Sequence, residues 1–213
     1  MNIEQLENGL WVPSTDAQIE QWRQEGRPHM QDKCLFQFVK WCESQNKSFG
    51  TVADVGSWCG TWAIAMQGFA KEMHCFEPNH VHYECLMRNI AKHKHIITYN
   101  QAIGSEDGFV KLSDETATQN TRVLLEKGET KINKLDTLDI GKIDLLKIDV
   151  EGLEMEVLKG ASEKLKDTEY LMIELNNNSK KYGSSNGIIE KHLESIGFKE
   201  LIKTWPDIVY SKA

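Results

Sequence analysis

The stretch Ala53–Trp62, ADVGSWCGTW, carries a strand-like run into a helical pattern through two glycines, Gly56 and Gly60. The run it completes, TVADV (Thr51–Val55), is apolar enough for a buried strand, and Thr61 to Ala70 reads as a helix. A strand–glycine–helix junction brings backbone N–H groups and the positive end of a helix up against a ligand. Many nucleotide-like cofactors suit such a loop, so the choice among them rests on the residues around it.

Outward from this loop, strands and helices alternate. MHCFE (Met73–Glu77) predicts a second strand, and from Pro78 a helix follows with Val81, Cys85, Leu86 and Ile90 on one face. IITYNQAI (Ile96–Ile103) predicts a third strand ending at Gly104. Over residues 105–135 the alternation lapses into short strand-like pieces, GFVKL, TRVLL and TKINKL, which read as an insertion. IDLLKIDV (Ile143–Val150) restores the pattern as a buried fourth strand, and one helix carries Leu153, Val157, Leu158, Ala161 and Leu165. YLMIEL (Tyr170–Leu175) is the fifth strand, and Ile188, Ile189, His192, Leu193 and Ile196 mark the last helix. FKELIKTW and DIVYSK close the chain as two runs joined at Pro206-Asp207, a turn so tight that one of them must run antiparallel. Upstream, a helical stripe (Cys34, Leu35, Phe38, Val39, Trp41 and Cys42) runs from Met30 to about Gln45. Residues 1–28 are polar, with isolated Trp11 and Trp22 and a turn at Gly26-Arg27-Pro28, which suits an N-terminal arm or lid.

Alternation of this kind predicts an α/β fold: a mostly parallel, Rossmann-like sheet of seven strands with an antiparallel C-terminal strand and helices on both faces. With 213 residues, the span 29–213 is expected to form one domain. No apolar run approaches the ~20 residues that cross a bilayer. The acidic, polar stretch MNIEQLENGL does not read as a signal peptide. A net charge of −7 with only short basic clusters argues against a nucleic-acid binder, which needs a basic face. Five cysteines without a Cys-x-x-Cys pair read as reduced thiols and predict a cytoplasmic protein.

Sheets of this class bind ligands at the carboxyl ends of their strands. That rule selects Val55-Gly56, Glu77, Gln101-Ala102, Asp149–Gly152 and Glu174–Asn178. A dinucleotide fingerprint is G-x-G-x-x-G, because the pyrophosphate needs backbone approach at the middle glycine. Here the spacing is G-x-x-x-G and Trp58 stands in the middle, which disfavours NAD. Glu77, 21 residues beyond Gly56, is placed to grip both hydroxyls of a ribose. Ribose recognition without pyrophosphate recognition points to S-adenosylmethionine. Asp54 would suit the ammonium of its methionine tail, and backbone amides from Ser57 through Gly60 to Thr61 its carboxylate; Gln101, Ala102 and Asp149 complete the expected cofactor set. The plainer alternative has Gly56 and Gly60 merely shaping a turn and Glu77 capping the next helix.

IDLLKIDVEGLEMEVLKGA (Ile143–Ala161) resembles the signature block of the FkbM family of S-adenosylmethionine-dependent methyltransferases. VADVGSWCGTW, HCFEPN, NKLDTLDIGKIDLLKID, the IELNNN strand end and DIVYSK are similar as well, so the likeness covers roughly residues 50–211. Trp58 departs from it, since a small or amide residue is common there. The resemblance implies a class I methyltransferase fold and methyl transfer, usually to a hydroxyl. Residues 1–49 carry no such likeness.

A hydroxyl acceptor must lose a proton, which calls for a carboxylate, a histidine or a metal. Asp149, Glu151 and Glu174 come to the same edge of the sheet and are the catalytic candidates; Asn176, Asn177 and Asn178 follow. The runner-up use of these oxygens is to hold a divalent cation such as Mg²⁺, as in the metal-dependent catechol-type methyltransferases. The plain alternative is helix capping and a polar turn. DVEG after the fourth strand lacks the Asn/Asp/Ser-Pro-Pro-Tyr/Phe motif of amino methyltransferases, which favours an oxygen acceptor. His80, His82, His93 and His95 with Cys75 and Cys85 do not make a zinc pattern, because residues two apart on a helix face different sides.

The expected activity is therefore O-methylation of a carbohydrate or other small metabolite. The competing expectation is a non-catalytic S-adenosylmethionine-binding domain. The acceptor, a small molecule or glycan, would be met by residues 1–28, 105–130 and 176–187.

Overall fold

The computed structural model describes residues 3–14, 19–20, 33–113 and 121–212. Much of the predicted N-terminal arm, including Trp22 and the Gly26-Arg27-Pro28 turn, lies outside the described residues. Its described part is an antiparallel hairpin of β1 (Ile3–Gln5) and β2 (Trp11–Pro13). Helix α1 (Lys33–Ser44) buries Cys34, Leu35, Phe38 and Cys42 of the predicted stripe, while its Val39 and Trp41 are half-buried; residues 30–32 fall outside the described range.

The alternation then appears as read: β3 (Phe49–Val55), α2 (Thr61–Met66), β4 (Ala70–Phe76), α3 (His80–Ile90) and β5 (Ile96–Tyr99). Helix α2 is shorter than predicted, because residues 67–69 tighten into a 3-10 turn so that the chain can enter β4 at Ala70. Asn79 caps α3, its Oδ1 accepting the N–H groups of Val81 and His82.

The predicted third strand is broken. After β5 the chain bends at Asn100, whose Nδ2 donates to the carbonyls of Glu77 (2.9 Å) and Pro78 (3.1 Å). The last two residues become β6 (Ala102–Ile103), which leaves the main sheet. It joins β7 (Gly108–Leu112), β8 (Val123–Leu124) and β9 (Thr130–Asn133) in a small sheet of order β6-β9-β7-β8.

The chain returns with β10 (Leu145–Ile148), followed by α4 (Glu154–Gly160) and α5 (Lys164–Asp167) where one helix was expected. The break coincides with Asp136, whose carboxylate accepts the backbone N–H groups of Glu163 and Lys164 and so starts a new helix. Strand β11 (Tyr170–Glu174), helix α6 (Asn186–Ser195), β12 (Phe198–Thr204) and β13 (Asp207–Lys212) complete the chain.

The main sheet has the order β12-β13-β11-β10-β3-β4-β5. β3 pairs in parallel with β4 and β10, and β13 runs antiparallel to both β11 and β12. Both faces are buried, so successive residues of a strand feed opposite cores. Val55, Phe76, Leu146, Ile148 and Ile173 pack with α4 and α6, whereas Val52, Met73, Leu145 and Met172 pack with α1, α2 and α3. Strand order reverses between β3 and β10, which opens a crevice at their carboxyl ends. Among the described residues no helix is long and apolar enough to cross a membrane.

Candidate functional site

A cavity of about 420 Å³ lies in that crevice. Its floor is the turn after β3. Gly56 has φ 80°, and a Cβ there would stand 1.7 Å from the backbone oxygen of Asp149. Only glycine lets β3 and β10 approach this closely at their ends. The loop is closed by bonds within the protein: the N–H groups of Gly56 and Ser57 both donate to Phe76 O at 3.0 Å, and Gly60 N–H donates to Ser57 O at 2.8 Å. Those amides are therefore engaged, which narrows the cradle expected from Ser57 through Thr61.

Of the expected cofactor set, Gly56, Ser57, Thr61, Glu77, Gln101, Ala102 and Asp149 line this cavity. Asp54 and Gly60 do not reach it. Asp54 was expected to meet an ammonium on the ligand, but it is fully buried with Lys147 Nζ 3.1 Å from its Oδ1. The chain itself supplies that ammonium. Gly60 instead lies against Leu86 of α3.

Glu77 serves as a brace. Its Oε1 accepts Asn79 N–H (2.8 Å), its Oε2 accepts Trp58 N–H (2.9 Å), and His82 Nδ1 stands 3.6 Å away. A carboxylate offers about four acceptor positions, more than these two hydrogen bonds use, and Glu77 lines the cavity. Trp58 sits at φ 47°, a left-handed conformation for a bulky residue, and its ring meets His82 edge-on. Among the described residues, the buried Gln101 Nε2 and His82 Nε2, both on cavity-lining residues, have no protein partner. A buried polar group without a partner costs roughly 1–3 kcal/mol, so each position suits a polar group of a ligand or an ordered water.

Asp149, Glu151 and Glu174 converge as expected, each offering an oxygen within 4.8 Å of the others. Asp207, opposite Glu174 in the β11–β13 register, lines the same wall. Burial, and then the charges of Asp149, Glu151 and Asp207, push the Glu174 carboxyl well above the ordinary carboxylate range. Glu151 is raised too, by burial first and then by Asp149. Its Oε2 accepts the side-chain amides of Asn176 (3.0 Å) and Asn178 (2.8 Å), and Asn176 also donates to Glu174 Oε2 (2.9 Å). The asparagine run thus holds the two acids together.

Lys147 is one residue that sequence reading missed. Its Nζ donates to Gly56 O at 2.7 Å and stands 3.1 Å from Asp54 and 3.4 Å from Asp149. Burial works to lower its pKa, but Asp54 and Asp149 outweigh it and hold the ammonium above its ordinary range. The available signal was a lone cation inside the otherwise apolar and acidic run IDLLKIDV. His82 and Asp207 were missed as well, since nothing local in the sequence aims them at the crevice.

The cavity, the Gly56 turn and the orphaned polar atoms fit an adenosyl cofactor. The Methyltransferase FkbM domain model matches residues 50–200. Solved structures with the same fold include the methyltransferase FkbM of Methylobacillus flagellatus KT, 17% identical with a TM-score of 0.57. That match covers 77% of this chain but 43% of the other, so the chain spans less than half of that protein's length. The N-methyltransferase NodS of Bradyrhizobium japonicum WM9, in complex with S-adenosyl-L-homocysteine, is 9% identical with a TM-score of 0.55, over 90% of this chain and 91% of that one. The magnesium protoporphyrin IX methyltransferase of Synechocystis PCC 6803, with bound S-adenosylmethionine, is 12% identical with a TM-score of 0.55, covering 92% of each chain. No curated protein is significantly similar in sequence. Likenesses this distant establish the class I methyltransferase fold, and the family model goes further: the chain belongs to the FkbM methyltransferase family.

Proposed function

We propose that this chain is an S-adenosylmethionine-dependent O-methyltransferase acting on a hydroxyl of a carbohydrate or another small metabolite. The observation that carries the reading is the convergence of Asp149, Glu151 and Glu174 on the cavity floored by the Gly56 turn. S-adenosylmethionine supplies a methyl group already activated by its sulfonium. Gly56, Ser57, Thr61, Glu77, Gln101 and Ala102 are the residues that would hold it.

What the chain must add is alignment and a place for the acceptor's proton. Asp149 suits the second task best. Its side chain is 40% exposed, it lines the cavity, and Lys147 stands by as a counter-charge. Glu174, pushed upward by burial and its acidic neighbours, keeps its own proton near neutrality and so serves as partner to the base. Leu153, Val123 and Met172 supply apolar wall that sheds water around the reacting atoms.

Asp149→Asn keeps shape and hydrogen-bonding reach but removes the charge. Turnover on an acceptor found by screening sugars, glycolipids and phenols with labelled methyl donor should fall on the order of 10²–10⁴-fold. Affinity for S-adenosylhomocysteine should change far less. Full turnover in Asp149→Asn would rule out the carboxylate as base. A second reading has the same three oxygens holding a divalent cation, since they lie within 4.8 Å of one another. Loss of turnover on adding EDTA, restored by Mg²⁺, would favour it over the proton-acceptor role. A chain that binds cofactor but methylates nothing in the screen would instead be a non-catalytic binding domain.

A further inference from the structure

The hairpin β1–β2 lies against the turn that floors the cavity. Asn89, near the end of α3, joins the two. Its Oδ1 accepts the N–H of Trp11 (2.7 Å), and its Nδ2 donates to Trp11 O (2.8 Å) and to Cys59 O (2.8 Å). One side chain thus pairs with β2 as a neighbouring strand would and spends its second N–H on the turn. The indole of Trp58 packs against a satellite cluster of Leu6, Leu10, Val12 and Ile19, with Val12 fully buried. Arg88 covers the outer face of Trp11, 4.5 Å from the ring centroid.

Trp58 needs such support. A bulky residue in the left-handed region costs on the order of 1–3 kcal/mol and persists only where its surroundings hold it there. Two contacts do so. The Trp58 N–H is bound by Glu77, and the ring is covered by the hairpin. The same Glu77 faces the cavity beside Gln101 and His82. Hairpin docking and the shape of the cofactor end of the cavity are therefore set by one group of contacts.

We propose that Asn89 and Trp58 are positioning residues which couple docking of the N-terminal hairpin to cofactor binding. The proposal rests on the cofactor reading given above. With the hairpin docked, Trp58 stays left-handed and its N–H keeps Glu77 aimed. With the hairpin released, the indole loses its apolar cover and Asn89 loses both bonds to Trp11. Linkage makes the effect reciprocal: whatever factor docking adds to cofactor affinity, the cofactor returns to docking.

The test uses the full chain and S-adenosylhomocysteine. Calorimetry on the wild type reports the cofactor reading itself, and absence of binding would overturn that reading and this proposal together. Given wild-type binding, two variants probe the coupling from either side. Asn89→Asp keeps the acceptor for Trp11 N–H but turns a carboxylate oxygen on the carbonyls of Trp11 and Cys59. Leu6→Ala thins the satellite cluster at a residue that does not line the cavity. Each should weaken S-adenosylhomocysteine binding about tenfold, within the usual range of coupling between sites. A hairpin with a merely structural role would lower thermal stability and leave the dissociation constant alone. Hydrogen exchange of the hairpin amides in the wild type needs no variant, and S-adenosylhomocysteine should slow it by a similar factor. Unchanged affinity in the variants, or hairpin exchange indifferent to S-adenosylhomocysteine, would overturn the coupling.

Discussion

Lys147 shows how one side chain can serve as both structure and site. Register places it opposite Asp54 on β3, where both are buried, so the pair must be neutralised locally. Removing one partner of a buried ion pair costs roughly 3–5 kcal/mol, because the other charge is left without solvent or counter-charge. Lys147→Met should therefore lower unfolding free energy by about that much in urea titration. Lys147→Met combined with Asp54→Asn should recover most of the loss. Failure of the double variant to recover would mean that the bond from Lys147 to Gly56 O, rather than the ion pair, carries the stability. None of this was legible in sequence: Asp54 is 93 positions away, and its pairing exists only once the parallel register is set. Asp54 could be read as a strand-end acid, but its partner had to be supplied by the fold. By contrast, Glu77 and Gln101 were legible, because the ends of parallel strands face the crevice wherever the helices fall.

At the scale of elements, the turn after β10 and the turn after β11 are one construction. Gly152 has φ 120°, and a Cβ there would come 2.9 Å from the backbone carbonyl of Asn178. The 3-10 turn over 178–182 thus rests directly on the DVEG turn, which is how Asn178 reaches Glu151. Gly152→Ala would strain the backbone and push that turn away. It should cost turnover at least tenfold through lost support for Glu151, with S-adenosylhomocysteine affinity nearly unchanged; equal losses of both would place the turn on the cofactor side instead. The elements themselves were largely readable. Alternating apolar strands and amphipathic helices predicted the main sheet and its antiparallel end, because burial on both faces imposes those patterns. Two breaks were not readable. Asn100 ends β5 through bonds to Glu77 and Pro78, and Asp136 restarts a helix at Lys164; both are side chains acting across long stretches of chain. A strand or helix that stops for a tertiary reason leaves no local mark.

For the whole molecule, the acids gathered at one sheet edge should give stability an uncommon slope with pH. Burial pushes Glu154 up to about 7 from an ordinary 4.5, although its Oε1 accepts the N–H of Gly152 at 2.7 Å. Between those values the unfolded chain has released the proton while the folded chain still holds it. Fewer protons are then bound in the unfolded state, so stability falls as pH rises through that window. A gap of this size corresponds to on the order of 3 kcal/mol for Glu154 alone. Glu151 is raised as well and adds to the same fall, and Glu174, pushed up to about 9, extends it to higher pH. Glu156, held low by Lys159 and Ser105 against its burial, acts in the opposite sense: its contribution is present above the ordinary carboxylate range and is lost only on acidification. Urea unfolding should thus show a higher midpoint at pH 5 than at pH 8. Glu154→Gln keeps an acceptor for Gly152 N–H and removes one titrating group, so it should flatten the profile between about pH 4.5 and 7. A profile equally steep in Glu154→Gln would place the proton uptake elsewhere in the cluster, and Glu174→Gln then separates the remaining contributors by flattening only the upper part of the range.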